Sequence, residues 1–196
     1  MLIELENFTI NNIDVSGSLL LEGGEMTLLE GENGVGKTSI FHELNLNHKK
    51  YFKGRVVRII DQMRLSPLNE ISFRELILQM NEYRYEELDC FSDCMERIEK
   101  FQDTPINQLS GGQNQMVKIA LNIYLSGDVF LFDEPLQFLD KENKIFFRSL
   151  VAKLLGSNKS ICLVEHNDDS VKKLASKSYQ VTLGDFIQVR SSNGVY

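Results

Sequence analysis

The stretch from residue 26 to residue 44 constrains the fold of this chain more than any other. A continuous apolar run, Met26–Leu29, predicts a buried β-strand. It leads into a glycine-rich segment, Gly31–Thr38, which fits the pattern G-x-x-x-x-G-K-[ST], and then into residues 39–44, which have helical character. A strand, a glycine-rich loop and a helix in this order predict a phosphate-binding loop.

The chemistry expected of this loop follows from its residue types. Glycines let the backbone approach phosphate groups and turn its N–H groups toward them, and the following helix adds the positive end of its dipole. Lys37 is expected to reach the β- and γ-phosphates, and the Thr38 hydroxyl to bind Mg²⁺. The expected nucleotide-binding residues are Gly31, Asn33, Gly34, Gly36, Lys37, Thr38 and Ser39.

Acidic side chains follow a second apolar run. Val129–Phe132 predicts a buried strand that ends at Asp133 and Glu134, where parallel sheets bind their ligands. We expect Asp133 to hold Mg²⁺ through water, and Glu134 to act as the general base that polarises the attacking water. His166 follows the next predicted strand, Ile161–Val164, and is expected at the same sheet edge, in reach of a γ-phosphate.

Strands and helices alternate along the chain, which predicts an α/β fold with a mostly parallel core sheet. With 196 residues, 42% of them hydrophobic, the chain can bury one substantial core, so we expect a single domain over residues 1–196. Short segments at 2–10 and 16–22 have β character. Residues 72–101 have helical, acidic character, and a small helical lobe is expected at approximately residues 64–125, inserted in the core.

Composition narrows the classes of function. A net charge of −7 without a long basic block argues against nucleic-acid binding. The three cysteines, Cys90, Cys94 and Cys162, are too few for a disulfide framework and are expected to be packing residues. The N-terminus does not have the pattern of a secretory signal, and no apolar stretch approaches the roughly 18 residues of a membrane span. If the protein works at a membrane, another chain is expected to carry it there.

The pentapeptide LSGGQ, residues Leu109, Ser110, Gly111, Gly112 and Gln113, lies in the sequence between the glycine-rich segment and the acidic pair Asp133 and Glu134. With them it resembles the ATP-binding cassette (ABC) ATPases, whose signature it matches without change. The resemblance covers nearly the whole chain and implies a P-loop NTPase with an N-terminal antiparallel β-subdomain. It also implies that this pentapeptide contacts the γ-phosphate held by a second subunit, at the N-terminal end of a helix expected to start near Gln113.

The resemblance assigns roles to three further residues. Gln62 corresponds to the family's Q-loop glutamine, which ligates Mg²⁺ and senses the partner. Asp140 corresponds to the D-loop aspartate at the dimer interface, and His166 to the switch histidine. The implied catalytic residues are Glu134, His166 and Gln62, and the implied Mg²⁺ ligands are Thr38, Gln62 and Asp133.

Two positions depart from the family pattern. The family usually places an aromatic residue near Asn11 or Asn12 to stack on adenine, and this chain has asparagines there, with Phe8 nearby. The segment Leu136–Asp140 is bulkier than the usual Ser-Ala-Leu-Asp. We therefore expect a weakly held adenine and an altered dimer interface.

The resemblance implies a stand-alone ATP-binding subunit of a bacterial transporter, because the coiled coils, tandem cassettes and cysteine clusters of other ABC proteins are absent from the sequence. Its compactness is most similar to small exporter ATPases. The implied partners are a second copy or a second ABC subunit, and an integral membrane transport subunit. ATP and Mg²⁺ are the implied cofactors, and the implied location is cytoplasmic, peripheral on the inner face of the membrane. The alternative is a soluble ABC ATPase that uses ATP as a dimerisation switch outside transport.

Overall fold

The computed structural model describes residues 2–10, 13–60, 70–80, 90–165, 169–182 and 185–191. Eight strands form one sheet in the order β1-β2-β8-β7-β3-β6-β5-β4. They are β1 (Leu2–Ile10), β2 (Ile13–Leu20), β3 (Met26–Glu30), β4 (Val57–Ile60), β5 (Val129–Asp133), β6 (Ser160–Val164), β7 (Lys177–Thr182) and β8 (Asp185–Ser191). Within these ranges no helix has both the length and the apolar character needed to cross a membrane.

The centre of the sheet is parallel, as predicted. Strands β7, β3, β6, β5 and β4 all run in one direction. Strands β1 and β2 form an antiparallel hairpin, and β8 returns antiparallel to β7. Strands β3, β5 and β6 are buried almost throughout, which explains why their sequences read as continuous apolar runs. The expectation of a mostly parallel α/β sheet with an N-terminal antiparallel unit is confirmed.

Seven α-helices are described around this sheet. They are α1 (Lys37–Leu46), α2 (His48–Phe52), α3 (Phe73–Gln79), α4 (Phe91–Ile98), α5 (Gly111–Tyr124), α6 (Lys141–Gly156) and α7 (Asp169–Lys172). The described part of the predicted helical stretch 72–101 contains α3, α4 and a 3₁₀ turn at Glu99–Phe101. Helices α3, α4 and α5 all lie between β4 and β5, where the helical lobe is expected. The exact extent of that lobe, and of a single domain over 1–196, stays a prediction.

The core has two parts, one on each face of the sheet. The larger part joins β5 and β6 to α3, α4, α5 and α6, and the smaller one packs α1 and α2 on the opposite face. Cys90, Cys94 and Cys162 are buried within these parts and none forms a disulfide. Burial raises the pKa of the Cys94 and Cys162 thiols. All three cysteines therefore serve as packing residues, as expected.

A pair of substitutions on α6 tests the larger core. The Phe147 ring is fully buried and lies edge-on to Phe132, with 5.1 Å between ring centroids. We expect Phe147→Ala to lower the free energy of unfolding by about 3–5 kcal/mol, through lost burial and a cavity. Ile145, on the same helix, is 52% exposed, so Ile145→Ala should change it by only about 0.5 kcal/mol. Urea denaturation of both variants measures the difference, and equal losses would contradict this description of the core.

Candidate active site

The glycine-rich loop between β3 and α1 has a backbone that side chains would obstruct. Gly31 has a φ of +153°, and a Cβ there would lie 2.6 Å from the carbonyl oxygen of Val181 on the neighbouring strand. Gly36 precedes α1 with a φ of +107°, in the left-handed range that glycine adopts without strain. The chain can therefore turn sharply from the sheet into the helix and direct the first N–H groups of α1 into the loop.

Lys37, the first residue of α1, folds back across the loop. Its Nζ donates hydrogen bonds to the carbonyl oxygens of Gly31, at 2.9 Å, and of Glu32, at 2.7 Å. The side chain is buried, and that burial lowers the pKa of Lys37, while the charges of Glu134 and Asp133 act in the opposite direction. The ammonium group is therefore positioned inside the loop, close to the carboxylates of Asp133 and Glu134 at the end of β5.

A hydrogen bond between Thr38 and Asp133 joins the glycine-rich loop to the end of β5, the two parts of the site predicted from the sequence. The Thr38 hydroxyl donates a hydrogen bond of 2.8 Å to Oδ2 of Asp133, although the residues are 95 positions apart. Asp133 ends β5 and is 1% exposed, whereas Thr38 is exposed at the start of α1. A hydroxyl and a carboxylate are hard oxygen donors of the kind that Mg²⁺ prefers, so the pair fits that ion.

Glu134 has an unusual backbone conformation. It follows β5 directly, and its φ of +47° lies in the left-handed range, which is uncommon for a residue with a side chain. Its N–H donates to the carbonyl oxygen of Val164 on β6, at 3.0 Å, which holds this conformation at the sheet edge. Such residues are strained by about 1–3 kcal/mol and cluster at functional sites. No local sequence pattern indicates this strain.

The signature pentapeptide forms the start of α5. Ser110 is the N-cap residue: its hydroxyl accepts a hydrogen bond from the Gln113 N–H, and its own N–H donates to the Gln113 side chain. The helix begins at Gly111, so the expected start near Gln113 is two residues too late. Ser110 and Gly111 are both exposed. The pentapeptide therefore presents an exposed helix N-terminus, where N–H groups can bind an anion.

Two contacts fix α5 against the segment that follows Glu134. A Cβ on Gly112 would lie 2.7 Å from the carbonyl oxygen of Phe138, so only glycine permits this approach. Further along the helix, the buried Gln115 amide donates to the carbonyl oxygen of Pro135, at 3.3 Å. The role of Gln115 is not predicted from the sequence, because nothing in its local pattern indicates a partner twenty residues away. The signature turn and the segment beginning at Glu134 are thus joined within one chain.

The family of this chain is established by comparison with known proteins. The sequence model of the family described as ABC transporter matches residues 16–137, more than half of the chain. The chain belongs to the ABC transporter family. It is an ATP-binding protein and an ATPase.

Three curated relatives show the range of proteins to which this chain is similar. "ABC transporter E family member 3" of Arabidopsis thaliana is 33% identical, over 70% of this chain and 84% of its own. The "Phosphonates import ATP-binding protein" of Fusobacterium nucleatum is 27% identical, over 90% of this chain and 71% of its own. A "Translation initiation factor" of Saccharomyces cerevisiae is 27% identical, over 78% of this chain but only 26% of its own.

A solved structure confirms the ABC fold. The structure described as "ATP binding subunit of ABC transporter" superposes with a TM-score of 0.76, over 96% of this chain and 90% of its own, at 18% identity. At that identity the likeness concerns the fold alone. It identifies the α/β sheet with its glycine-rich loop as the P-loop NTPase fold of ABC cassettes.

The remaining predicted site residues of this ABC ATPase lie in different places. Asn33 and Gly34 are exposed in the loop, and Ser39 is half-buried on α1. Asp140 is the N-cap of α6, where its carboxylate accepts a hydrogen bond of 2.8 Å from the Asn143 N–H. Outside the described residues lie Gln62, His166, Asn11 and Asn12, and the Phe8 side chain is not described either. In the described ranges no group of three His, Cys, Asp or Glu side chains could hold a metal ion.

The two signature glycines differ in a way that substitution can test. A Cβ at Gly112 would meet a backbone oxygen at 2.7 Å, whereas one at Gly111 would meet only the Phe138 ring at 3.4 Å. We expect Gly112→Ala to lower the free energy of unfolding by about 1–3 kcal/mol, because a fixed carbonyl must move. Gly111→Ala should leave it within about 0.5 kcal/mol. Guanidinium denaturation without nucleotide measures the free energy of unfolding of both variants. Equal stability of the two would show that the contact between Gly112 and the Phe138 carbonyl group is not tight.

Proposed function

We propose that this ATPase is the nucleotide-hydrolysing subunit of an ABC transporter, which dimerises around ATP and drives a separate membrane-spanning partner. The observation that carries the proposal is that Lys37, Thr38 and Asp133 lie together next to Glu134. It places a cation, a hydroxyl and two carboxylates at one sheet edge, while an exposed signature turn on α5 provides the other half of a composite site.

The loop is proposed to bind the phosphates of ATP. Lys37 would exchange its two carbonyl partners for oxygens of the β- and γ-phosphates, and charged acceptors make stronger hydrogen bonds than neutral ones. Thr38 and Asp133 would hold Mg²⁺, together with Gln62 as the resemblance implies. That ion, when bound, neutralises charge on the phosphate oxygens. Ser39, Asn33 and the loop N–H groups complete the proposed cradle.

Glu134 is proposed as the general base. It would accept a proton from a water molecule as the water oxygen attacks the γ-phosphorus. The bond between that phosphorus and the β,γ-bridging oxygen then breaks, and its electron pair leaves with ADP. Lys37, held inside the loop, offsets negative charge that develops on the transferred group. His166, which corresponds to the family's switch histidine, is expected to hydrogen-bond the γ-phosphate and to orient the attacking water.

The signature turn is proposed to act on the nucleotide of another subunit. Ser110 and Gly111 are exposed, and no hydrogen bond between described residues joins Leu109–Gln113 to the glycine-rich loop of the same chain. A second copy would bring its signature turn to the γ-phosphate bound here, and the exchange is reciprocal in a two-fold dimer. Asp140 is expected at the same interface. Hydrolysis removes the bridging phosphate, so the two subunits separate.

Substitution of the proposed base tests the chemical step. We expect Glu134→Gln to lower ATP turnover by at least about 100-fold, because the amide cannot accept the proton. The same variant should dimerise on addition of ATP, since its phosphate contacts are intact. Phosphate release and sedimentation velocity measure the two properties.

Lys37→Ala is the matched control for that experiment. Added to Glu134→Gln, it should weaken ATP binding about tenfold to 100-fold, because charge-assisted hydrogen bonds are lost, and dimerisation should fail with it. Normal turnover by the Glu134→Gln variant would reject the base assignment. Undiminished ATP affinity without the lysine would reject the proposed phosphate loop.

The membrane partner is proposed because a relative that aligns with 90% of this chain is named as an import ATP-binding protein. We expect an integral membrane protein to co-purify with this chain in mild detergent at a fixed ratio, and to raise its ATP turnover in vesicles. The Glu134→Gln variant should bind the same protein without turnover. If the chain dimerises and hydrolyses ATP fully without any membrane protein, the soluble switch is the better description. The proposed location is the cytoplasmic face of the membrane.

A further inference from the structure

A group of basic side chains lies just beyond the far end of α1 from the phosphate loop. Helix α1 has ten residues, each of which adds about 1.5 Å, so its far end lies roughly 15 Å from the loop. The segment 44–56 contains no aspartate or glutamate, in a chain whose net charge is −7. Four exposed basic side chains of this segment, which we call the basic patch, are Lys49, Lys50, Lys53 and Arg55.

Helix α2 holds the basic patch at the surface. Tyr51 and Phe52 are 5% and 1% exposed and anchor this short helix in the smaller part of the core. The Tyr51 hydroxyl donates a hydrogen bond of 2.9 Å to Glu43 on α1, and the Lys50 ammonium group lies 4.8 Å from the centre of the Tyr51 ring. Because the aromatic side chains occupy one side of α2, Lys49 and Lys50 project from the other.

The charges of the basic patch have no carboxylate partner within the described part of the chain. Two carboxylates contact this segment, but both accept from other groups: Glu43 from Tyr51, and Asp128 from the Val56 N–H. Lys53 ends α2 with a φ of +46°, a left-handed conformation that favours glycine or asparagine. The turn itself therefore does not explain a lysine at this position.

The uncharged neighbours of the basic patch distinguish between two kinds of anionic partner. Single-stranded nucleic acids bind basic grooves that also expose aromatic rings, on which the bases stack. The aromatic residues here, Tyr51 and Phe52, are buried instead. Leu46, by contrast, is 79% exposed at the end of α1, and only Asn47 separates it from α2. An exposed leucine beside lysines suits the boundary between the headgroups and acyl chains of an anionic membrane.

We propose that the basic patch and Leu46 bind the surface of a membrane that contains anionic lipids. The proposal rests on the proposed function in one respect, the location of the chain at the cytoplasmic face, where the lipid surface is negatively charged. The basic side chains would lie against lipid phosphates, and Leu46 would enter the headgroup layer. Such a contact would keep the chain close to its membrane partner without occupying the nucleotide site.

The proposed contact predicts binding that depends on salt and on lipid charge. Each Lys or Arg near an anionic surface contributes about fivefold in affinity. We expect the chain to bind phosphatidylcholine vesicles with about 30% phosphatidylserine at least about tenfold more tightly than pure phosphatidylcholine vesicles, at roughly 0.1 M salt. Lys49→Gln with Lys53→Gln should lower that affinity about tenfold to 30-fold. Leu46→Ala should lower it about threefold, with little dependence on salt.

The matched control moves the same change of charge to another place. Lys100→Gln with Lys173→Gln removes two exposed lysines outside the basic patch and should keep the affinity for vesicles within about twofold of the parent. Co-sedimentation of the full chain with vesicles, without nucleotide, measures all four proteins. ATP turnover in the absence of vesicles and the unfolding temperature should be equal in all of them, which shows that the fold and the nucleotide site are intact.

The outcomes separate this contact from the proposed function. Equal binding to both kinds of vesicle, or binding to neither, would overturn the lipid contact and leave the expectations for Glu134 and Lys37 untouched. An equal loss in the control pair would show that net charge, and not the basic patch, is responsible. If the Lys49 and Lys53 variant binds vesicles normally but loses a labelled oligonucleotide or the co-purifying membrane protein, the patch belongs to that partner and the lipid contact is wrong. Normal turnover by Glu134→Gln, with vesicle binding as expected, would reject the proposed mechanism alone.

Discussion

Everything at the site depends on the parallel register of three neighbouring strands. Strand β6 pairs Val164 with Leu29 of β3 on one side and with Asp133 of β5 on the other. Because the carboxyl ends of parallel strands lie at one edge, this register brings the glycine-rich loop and the acidic pair together from positions far apart in the sequence. The Thr38–Asp133 hydrogen bond is the result. A slip of one residue would turn Asp133 away from the loop.

The second organising feature is the attachment of α5 to the segment after Glu134. Gly112 and Gln115 both contact backbone carbonyls of that segment, one by close approach and one by a hydrogen bond. Packed contacts of this kind can carry coupling between two sites when they have discrete arrangements. In the proposed dimer, Glu134 acts on this chain's own ATP and Ser110 on the other. A displacement at one nucleotide would then reach the other through residues 135–138.

Local patterns predicted most of the fold and much of the site. Continuous apolar runs identified β3, β5 and β6, and Asp133 was placed correctly because a carboxylate after a buried strand must lie at the sheet edge. Three features were beyond such reasoning: the left-handed Glu134, the Gln115–Pro135 hydrogen bond and the earlier start of α5. The first two depend on tertiary contacts, and helix ends are set by capping geometry that glycines leave ambiguous. Compactness favoured exporters, yet a relative is named for import, so size does not fix direction.

Two residues at the centre of the site, Lys37 and Glu134, lower the stability of the fold. Lys37 is buried with a lowered pKa, and Glu134 is strained, although neither feature helps the sheet to fold. For a buried lysine the penalty is fully present below its lowered folded pKa and is relieved as the pH rises from that value to the ordinary pKa of an unfolded lysine. Phosphate oxygens are better acceptors for Lys37 than carbonyl groups are, and a ligand that binds only the folded state stabilises it. The proposed nucleotide would therefore offset the penalty that prepares its own site.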